Sequence, residues 1–160
     1  SDDYRCGDRG GGYSGSLSRE VFGLMKRTAL LNRHLSALVA ELGHLDEITV
    51  ADAGLPVPDG VRVIDLAVVA GLPTLFQLIS ALRHELIIEE AIYAGEASKS
   101  LAAQMSAEMA GWQAETGKPI TLRVLSHDDF KARTRKSKAV IRTGECTPYA
   151  NLILVCGVPF

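Results

Sequence analysis

At 160 residues and 47% hydrophobic content, the chain has the length and apolar supply for one domain with a sizeable core. A formal net charge of -2 gives no electrostatic ground for binding nucleic acid or an anionic membrane, and no apolar run approaches the ~20 residues that span a bilayer. Three cysteines (Cys6, Cys146 and Cys156) without a CxxC spacing make neither a disulfide framework nor a zinc ribbon, and they point to a reducing, cytoplasmic compartment.

Residues 1–24 are rich in Gly, Ser, Asp and Arg and cannot bury much apolar surface, so they read as a mobile N-terminal extension. They lack the apolar stretch of a secretory signal, and Met25 is a plausible native start. That leaves residues 25–160 as the domain. Asn32 is a good N-cap for a helix to about Leu42, on which Leu35, Leu38, Val39 and Leu42 form one stripe. Gly43 is expected to supply a left-handed C-cap. Residues 47–53 read as a strand covered on both faces, and residues 61–69 as a second extended or mixed segment. A helix over 74–83, capped by Thr74, precedes a strand over 86–94 that Glu89 and Glu90 interrupt. The longest helix covers 98–116, with Leu101, Met105, Met109 and Trp112 on one face. A strand over 120–125 follows, then a short helix capped by Ser126 and running to about Arg135. The basic run over 131–138 reads as a solvated helix face. Strands over 139–142 and 151–156 flank a polar turn, and the hydrophobic ending over 155–160 is expected to be packed, within the fold or at a subunit interface. Alternation of strands and helices predicts an α/β fold: a single-domain three-layer sandwich, Rossmann-like, with a mixed or mostly parallel sheet.

Polar residues beside chain breakers at strand ends are where such folds gather ligands. Four positions qualify: His44, Asp52, His127 and the segment 144–151, with Tyr149 and Asn151. Histidines titrate near neutral pH, and Tyr and Asn offer the two-way hydrogen bonding that polyols need. Each also has a scaffold reading. His44 could cap helix carbonyls, Asp52 could form a turn, and His127 could be structural. The spacing of His44, Asp52 and His127 matches no metal signature, and Cys146 has no histidine nearby in sequence to activate it.

The stretch Leu42-Gly-His-Leu-Asp-Glu-Ile-Thr-Val-Ala-Asp-Ala-Gly-Leu-Pro-Val-Pro58 resembles the signature of the D-ribose pyranase family. So does Ala139-Val-Ile-Arg-Thr-Gly-Glu-Cys-Thr-Pro-Tyr-Ala-Asn-Leu-Ile-Leu154, and Met25-Lys-Arg-Thr-Ala-Leu-Leu-Asn32 looks like that family's N-terminus. L-fucose mutarotases are a sister family that shares the Gly-His and Asp-Ala elements. The resemblance implies a cofactor-free, metal-free sugar mutarotase that interconverts the β-pyranose and β-furanose forms of D-ribose. It implies His44 as proton donor and Asp52, His127, Tyr149, Ala150 and Asn151 as substrate-binding. It also implies rings of subunits, decamers of two stacked pentamers, with sites at the interfaces. The alternatives are a mutarotase for L-fucose or another sugar, and a non-catalytic sugar-binding accessory of a transport system. One geometric question is open. His44 and Asp52 bracket a strand, and ~3.3 Å per residue sets them roughly 20 Å apart. Either the chain bends sharply, or a site uses the two from different subunits.

Overall fold

The sheet grows outward from Ile48, Thr49, Val50 and Ala51, all fully buried, in a strand whose pure apolar and β-branched character suits a position with neighbours on every side. In the computed structural model, which describes residues 26–160, this strand is β1 (Glu47–Ala51). The expectations for residues 1–24 lie outside the described residues. The other strands are β2 (Arg62–Asp65), β3 (Ile88–Ala94), β4 (Thr121–Leu125), β5 (Ala139–Arg142) and β6 (Leu152–Cys156), in the order β2-β5-β1-β6-β3-β4. β1 and β2 run parallel to β5, and β3 runs parallel to β4. β6 is antiparallel to both β1 and β3. Five strands therefore point one way and the sixth runs against them in the middle of the sheet. The expected mixed α/β sandwich is present.

Strand side chains alternate between two cores. Ile48, Val50, Ile141, Leu152 and Leu154 face a large cluster with three helices: α1 (Arg33–Glu41), α2 (Leu75–Arg83) and α3 (Lys99–Thr116). Leu35, Leu38, Leu75, Ile79, Leu82, Met105 and Trp112 fill it from the helix side, and the indole N–H of Trp112 donates to the Leu86 carbonyl at 3.0 Å. Ala51, Val140, Ile153 and Val155 face the other way, toward Phe130 of α4 (His127–Arg133). That second layer is thin, and a charged tie supports it. Nη2 of Arg133 donates to the buried Glu47 at 2.6 Å, and the bond holds the guanidinium above its ordinary pKa against the opposing effect of burial.

Most helix starts follow their caps. Asn32 accepts the N–H groups of His34 and Leu35, Thr74 forms a capping box with Gln77, and Ser98 and Ser126 each accept an N–H in the first turn. Gly117 ends α3 in the left-handed conformation, φ 68°.

Two expectations are corrected. Gly43 is not the left-handed C-cap. α1 ends in extended backbone at Leu42, the Gly43 N–H donates to Asp46 Oδ2 at 2.8 Å, and Leu45 takes the positive φ of 69°. The Leu42 N–H closes the helix end on the Val39 carbonyl, and Asp46 fixes the turn that follows by accepting the Gly43 N–H. The segment over 61–69 is a strand only to Asp65, because Leu66–Pro73 turns out to hydrogen-bond with the last residue of β5 and the segment beyond it. In that turn the Leu66 N–H meets the Arg142 carbonyl and the Gly71 N–H the Gly144 carbonyl. Within one subunit Val155 and Cys156 of β6 are buried, while Phe160 is 94% exposed.

Candidate active site

Because five strands share one direction, their carboxyl ends open on one edge of the sheet, where β6 begins. An open cavity of about 460 Å³ lies there, lined among others by Asp52, Leu55, Pro56, His127, Glu145 and Tyr149. Its volume is that of a small-molecule site.

Asp52 follows β1 directly, and its two carboxylate oxygens are both committed. Oδ1 accepts the Gly54 N–H at 3.0 Å, which makes the turn, and Oδ2 accepts Asn151 Nδ2 at 3.2 Å. In return Asn151 Oδ1 accepts the Asp52 backbone N–H at 2.7 Å. Asn151 is 1% exposed, so it stands behind Asp52 and sets the direction of its carboxylate. Ala150 is fully buried in the larger core. Tyr149 brings its ring to the cavity through a left-handed backbone, φ 62°, with its carbonyl accepting the Asn151 N–H at 2.9 Å. That conformation is rare for a bulky residue and belongs to functional or otherwise constrained sites. His127, first residue of α4, packs edge-on against Tyr149 with centroids 5.0 Å apart. Its Nδ1 is buried without a partner among the described residues. Asp52, His127 and Tyr149 thus share one cavity, with Asn151 and Ala150 directly behind.

His44 is elsewhere. It precedes β1, whereas the cavity follows it, and the five-residue strand between is paired on both sides. At ~3.3 Å per residue β1 alone spans about 17 Å. The chain does turn sharply beside His44, at Leu45, but the turn does not bring His44 among the residues that line the cavity. His44 does not cap helix carbonyls either; its Nε2 lies 3.1 Å from Glu89 Oε2.

Two residues that sequence reasoning gave no role hold the cavity's walls together. Glu145 accepts the N–H of Leu75, at the start of α2, and both the N–H and the hydroxyl of Thr147. Burial raises its carboxyl pKa, but these bonds, with one from the Cys146 N–H, outweigh burial and hold it below the usual carboxylate range. Arg142 donates Nε to the Ala53 carbonyl at 3.0 Å and Nη1 to Asp65 at 3.0 Å. Cys146 is exposed at the cavity and its S–H donates to the Gly144 carbonyl. No group of three or more His, Cys, Asp and Glu among the described residues could hold a metal ion.

The arrangement is that of an α/β protein with an open polyol-sized site built from an oriented carboxylate, an imidazole and a phenol. The chain belongs to the RbsD / FucU transport protein family, whose model matches residues 25–159. It is 52% identical over 139 residues to a D-ribose pyranase of Vibrio vulnificus, covering 85% of this chain and all of that one. Among solved structures, Bacillus subtilis RbsD complexed with D-ribose is 43% identical, with a TM-score of 0.75 over 85% of this chain and all of that one. A Streptococcus pneumoniae fucose mutarotase in complex with L-fucose shares the fold, at 23% identity and a TM-score of 0.67 over 79% of this chain and 93% of that one.

Proposed function

We propose that the protein is a D-ribose pyranase, an isomerase that interconverts the pyranose and furanose rings of D-ribose without a cofactor. The observation that carries this is the 52% identity to a D-ribose pyranase over the whole of that enzyme, in a chain whose cavity presents polyol-binding groups. Opening a hemiacetal ring moves the proton of the anomeric hydroxyl to the ring oxygen as the bond from C1 to that oxygen breaks. The open aldehyde rotates, and a different hydroxyl closes the other ring by the reverse steps. Nothing is oxidised and no group leaves, so one weak acid/base and a set of hydroxyl clamps suffice.

In this reading Asp52, His127 and Tyr149 hold the hydroxyls, Asn151 fixes Asp52, and Ala150 sets the backbone between Tyr149 and Asn151. His44 is the acid/base. It reaches the sugar from a second subunit, since within one chain it lies beyond the opposite end of β1. The assembly is a decamer of two stacked pentamers in the cytoplasm. Exposed Leu45, Val68, Val69, Leu72 and Phe160 supply apolar surface for such contacts. Ten chains of 17.2 kDa would weigh about 170 kDa in light scattering.

The test is NMR saturation transfer between ribopyranose and ribofuranose anomeric resonances. Catalytic protein should transfer saturation that buffer does not, His44→Ala should abolish it, and L-fucose in place of ribose reports the sugar preference. Binding of ribose without accelerated exchange would sink the enzymatic reading.

A further inference from the structure

Two irregularities of the backbone, far apart in the chain, converge on one contact. The first is Leu45, which holds φ 69° while its N–H donates to the Cys156 carbonyl at 2.9 Å, pinning the turn that carries His44 to the end of β6. The second is a bulge in β3. Opposite β6, Ile88 pairs with Cys156 and Glu90 with Val155, so Glu89 is the extra residue. Bulges re-aim side chains and recur beside active sites, and a left-handed non-glycine residue is a conformation that surrounding structure must enforce. Between them the two place Glu89 Oε2 3.1 Å from His44 Nε2. Glu89 has no other charged partner among the described residues, whereas its neighbour Glu90 is taken by Arg123 at 3.4 Å.

We propose that Glu89 is the positioning residue for His44: its carboxylate holds the Nε2 proton and leaves Nδ1 as the nitrogen that exchanges a proton with the sugar. This rests on the reading of His44 as the acid/base. A carboxylate on one imidazole nitrogen sets the tautomer and ring orientation and stabilises the imidazolium when it forms. The step balances within this pair. Nδ1 takes the proton of the anomeric hydroxyl, whose oxygen becomes the carbonyl as C1 releases the ring oxygen. The ring oxygen then receives the proton from Nδ1. His44 ends as the neutral Nε2–H form in which it began, and Glu89 stays ionised throughout.

The experiment compares wild-type protein with Glu89→Gln, Glu89→Asp and His44→Ala, with ribose exchange and long-range ¹H–¹⁵N spectra of the histidine rings as readouts. Four histidines make the spectrum assignable by subtraction with His44→Ala. Above neutral pH, wild-type His44 should show the Nε2–H tautomer. Glu89→Gln should lose this preference and slow exchange roughly tenfold or more at unchanged KM, with partial recovery in Glu89→Asp; the carboxylates that orient metal-binding histidines act on a scale of about 10–100-fold. Wild-type exchange in Glu89→Gln while His44→Ala is inactive would overturn the role of Glu89 alone. Full activity of His44→Ala would overturn the acid/base reading beneath it. A wild-type Nδ1–H tautomer would overturn the proton assignment, whatever the variants do.

Discussion

Replacing Asn151 by alanine should loosen the fold and the site together. The side chain makes two bonds to Asp52, a neutral one from the backbone N–H at 2.7 Å and a charge-assisted one to the carboxylate at 3.2 Å. The first contributes about 1 kcal/mol and the second ~1.5–3 kcal/mol, so their loss at a position 1% exposed should cost about 2.5–4 kcal/mol. For a domain of this size that lowers Tm by roughly 5–15 °C. The single tryptophan, Trp112, is fully buried against the Leu86 carbonyl and reports unfolding in urea by fluorescence. Protomer concentration must be matched, because assembly adds to apparent stability. Asn151→Asp sharpens the argument. It keeps the acceptor for the Asp52 N–H but sets a second carboxylate against the first. The shared site then holds one proton tightly, and one carboxyl pKa rises. A group raised in the folded state stabilises below its unfolded pKa, and that contribution disappears as pH climbs through the folded one. Asn151→Asp should therefore be nearest to wild type at about pH 4 and fall behind toward pH 7. A midpoint for Asn151→Ala within ~0.5 kcal/mol of wild type would refute the account of the pair, because substitutions away from such features stay inside that margin.

Gly144→Ala should destabilise by about 1–3 kcal/mol or more in the same urea titration, since its Cβ would lie 2.5 Å from the carbonyl oxygens of Val69 and Leu72. Glu145 is held below the usual carboxylate range, so its contribution is complete above the ordinary value of about 4.3 and is lost as pH falls through the lower, folded-state value. Acid unfolding followed by circular dichroism should accordingly show a shallower acid limb for Glu145→Gln. Iodoacetamide at pH 8 should label exposed Cys146 and leave Cys156 untouched until denaturant is added, because burial, with a smaller effect of Asp46, pushes the Cys156 thiol up to about 11; peptide mass mapping reads the two sites separately.

Local signals in the sequence carried the elements whose causes are local. Asn32, Thr74, Ser98 and Ser126 cap helices where their side chains predict, and Gly117 ends α3 as a left-handed glycine should. The continuous apolar character of residues 48–51 marked β1 as buried on both faces. Of the site, Asp52, His127, Tyr149 and Asn151 were legible as polar residues beside strand ends and do assemble there. What was illegible depends on partners far away in the chain. The Asp52–Asn151 exchange spans 99 residues, the bond from Glu145 to α2 spans 70, and the His44–Glu89 contact spans 45. Glu89 looked like an interruption of a strand, and only the pairing of β3 with β6 reveals a bulge. Gly43 misled because Asp46, three residues on, accepts its N–H and holds the turn in a form that puts the positive φ on Leu45 instead.

The order in which the sheet is filled has a consequence for the nascent chain. β1 lies between β5 and β6, and neither exists on the ribosome until long after β1 has left it. The 105 residues from Ala51 to Cys156 take about 5–20 s to translate. For that interval an all-buried strand has bare hydrogen-bonding edges on both sides, the condition under which strands pair with the wrong chain. The helices α1 and α2 can shield one of its faces early, but not its edges. Slowing elongation between codons 52 and 139 should therefore raise the aggregated fraction more than slowing it anywhere after β6.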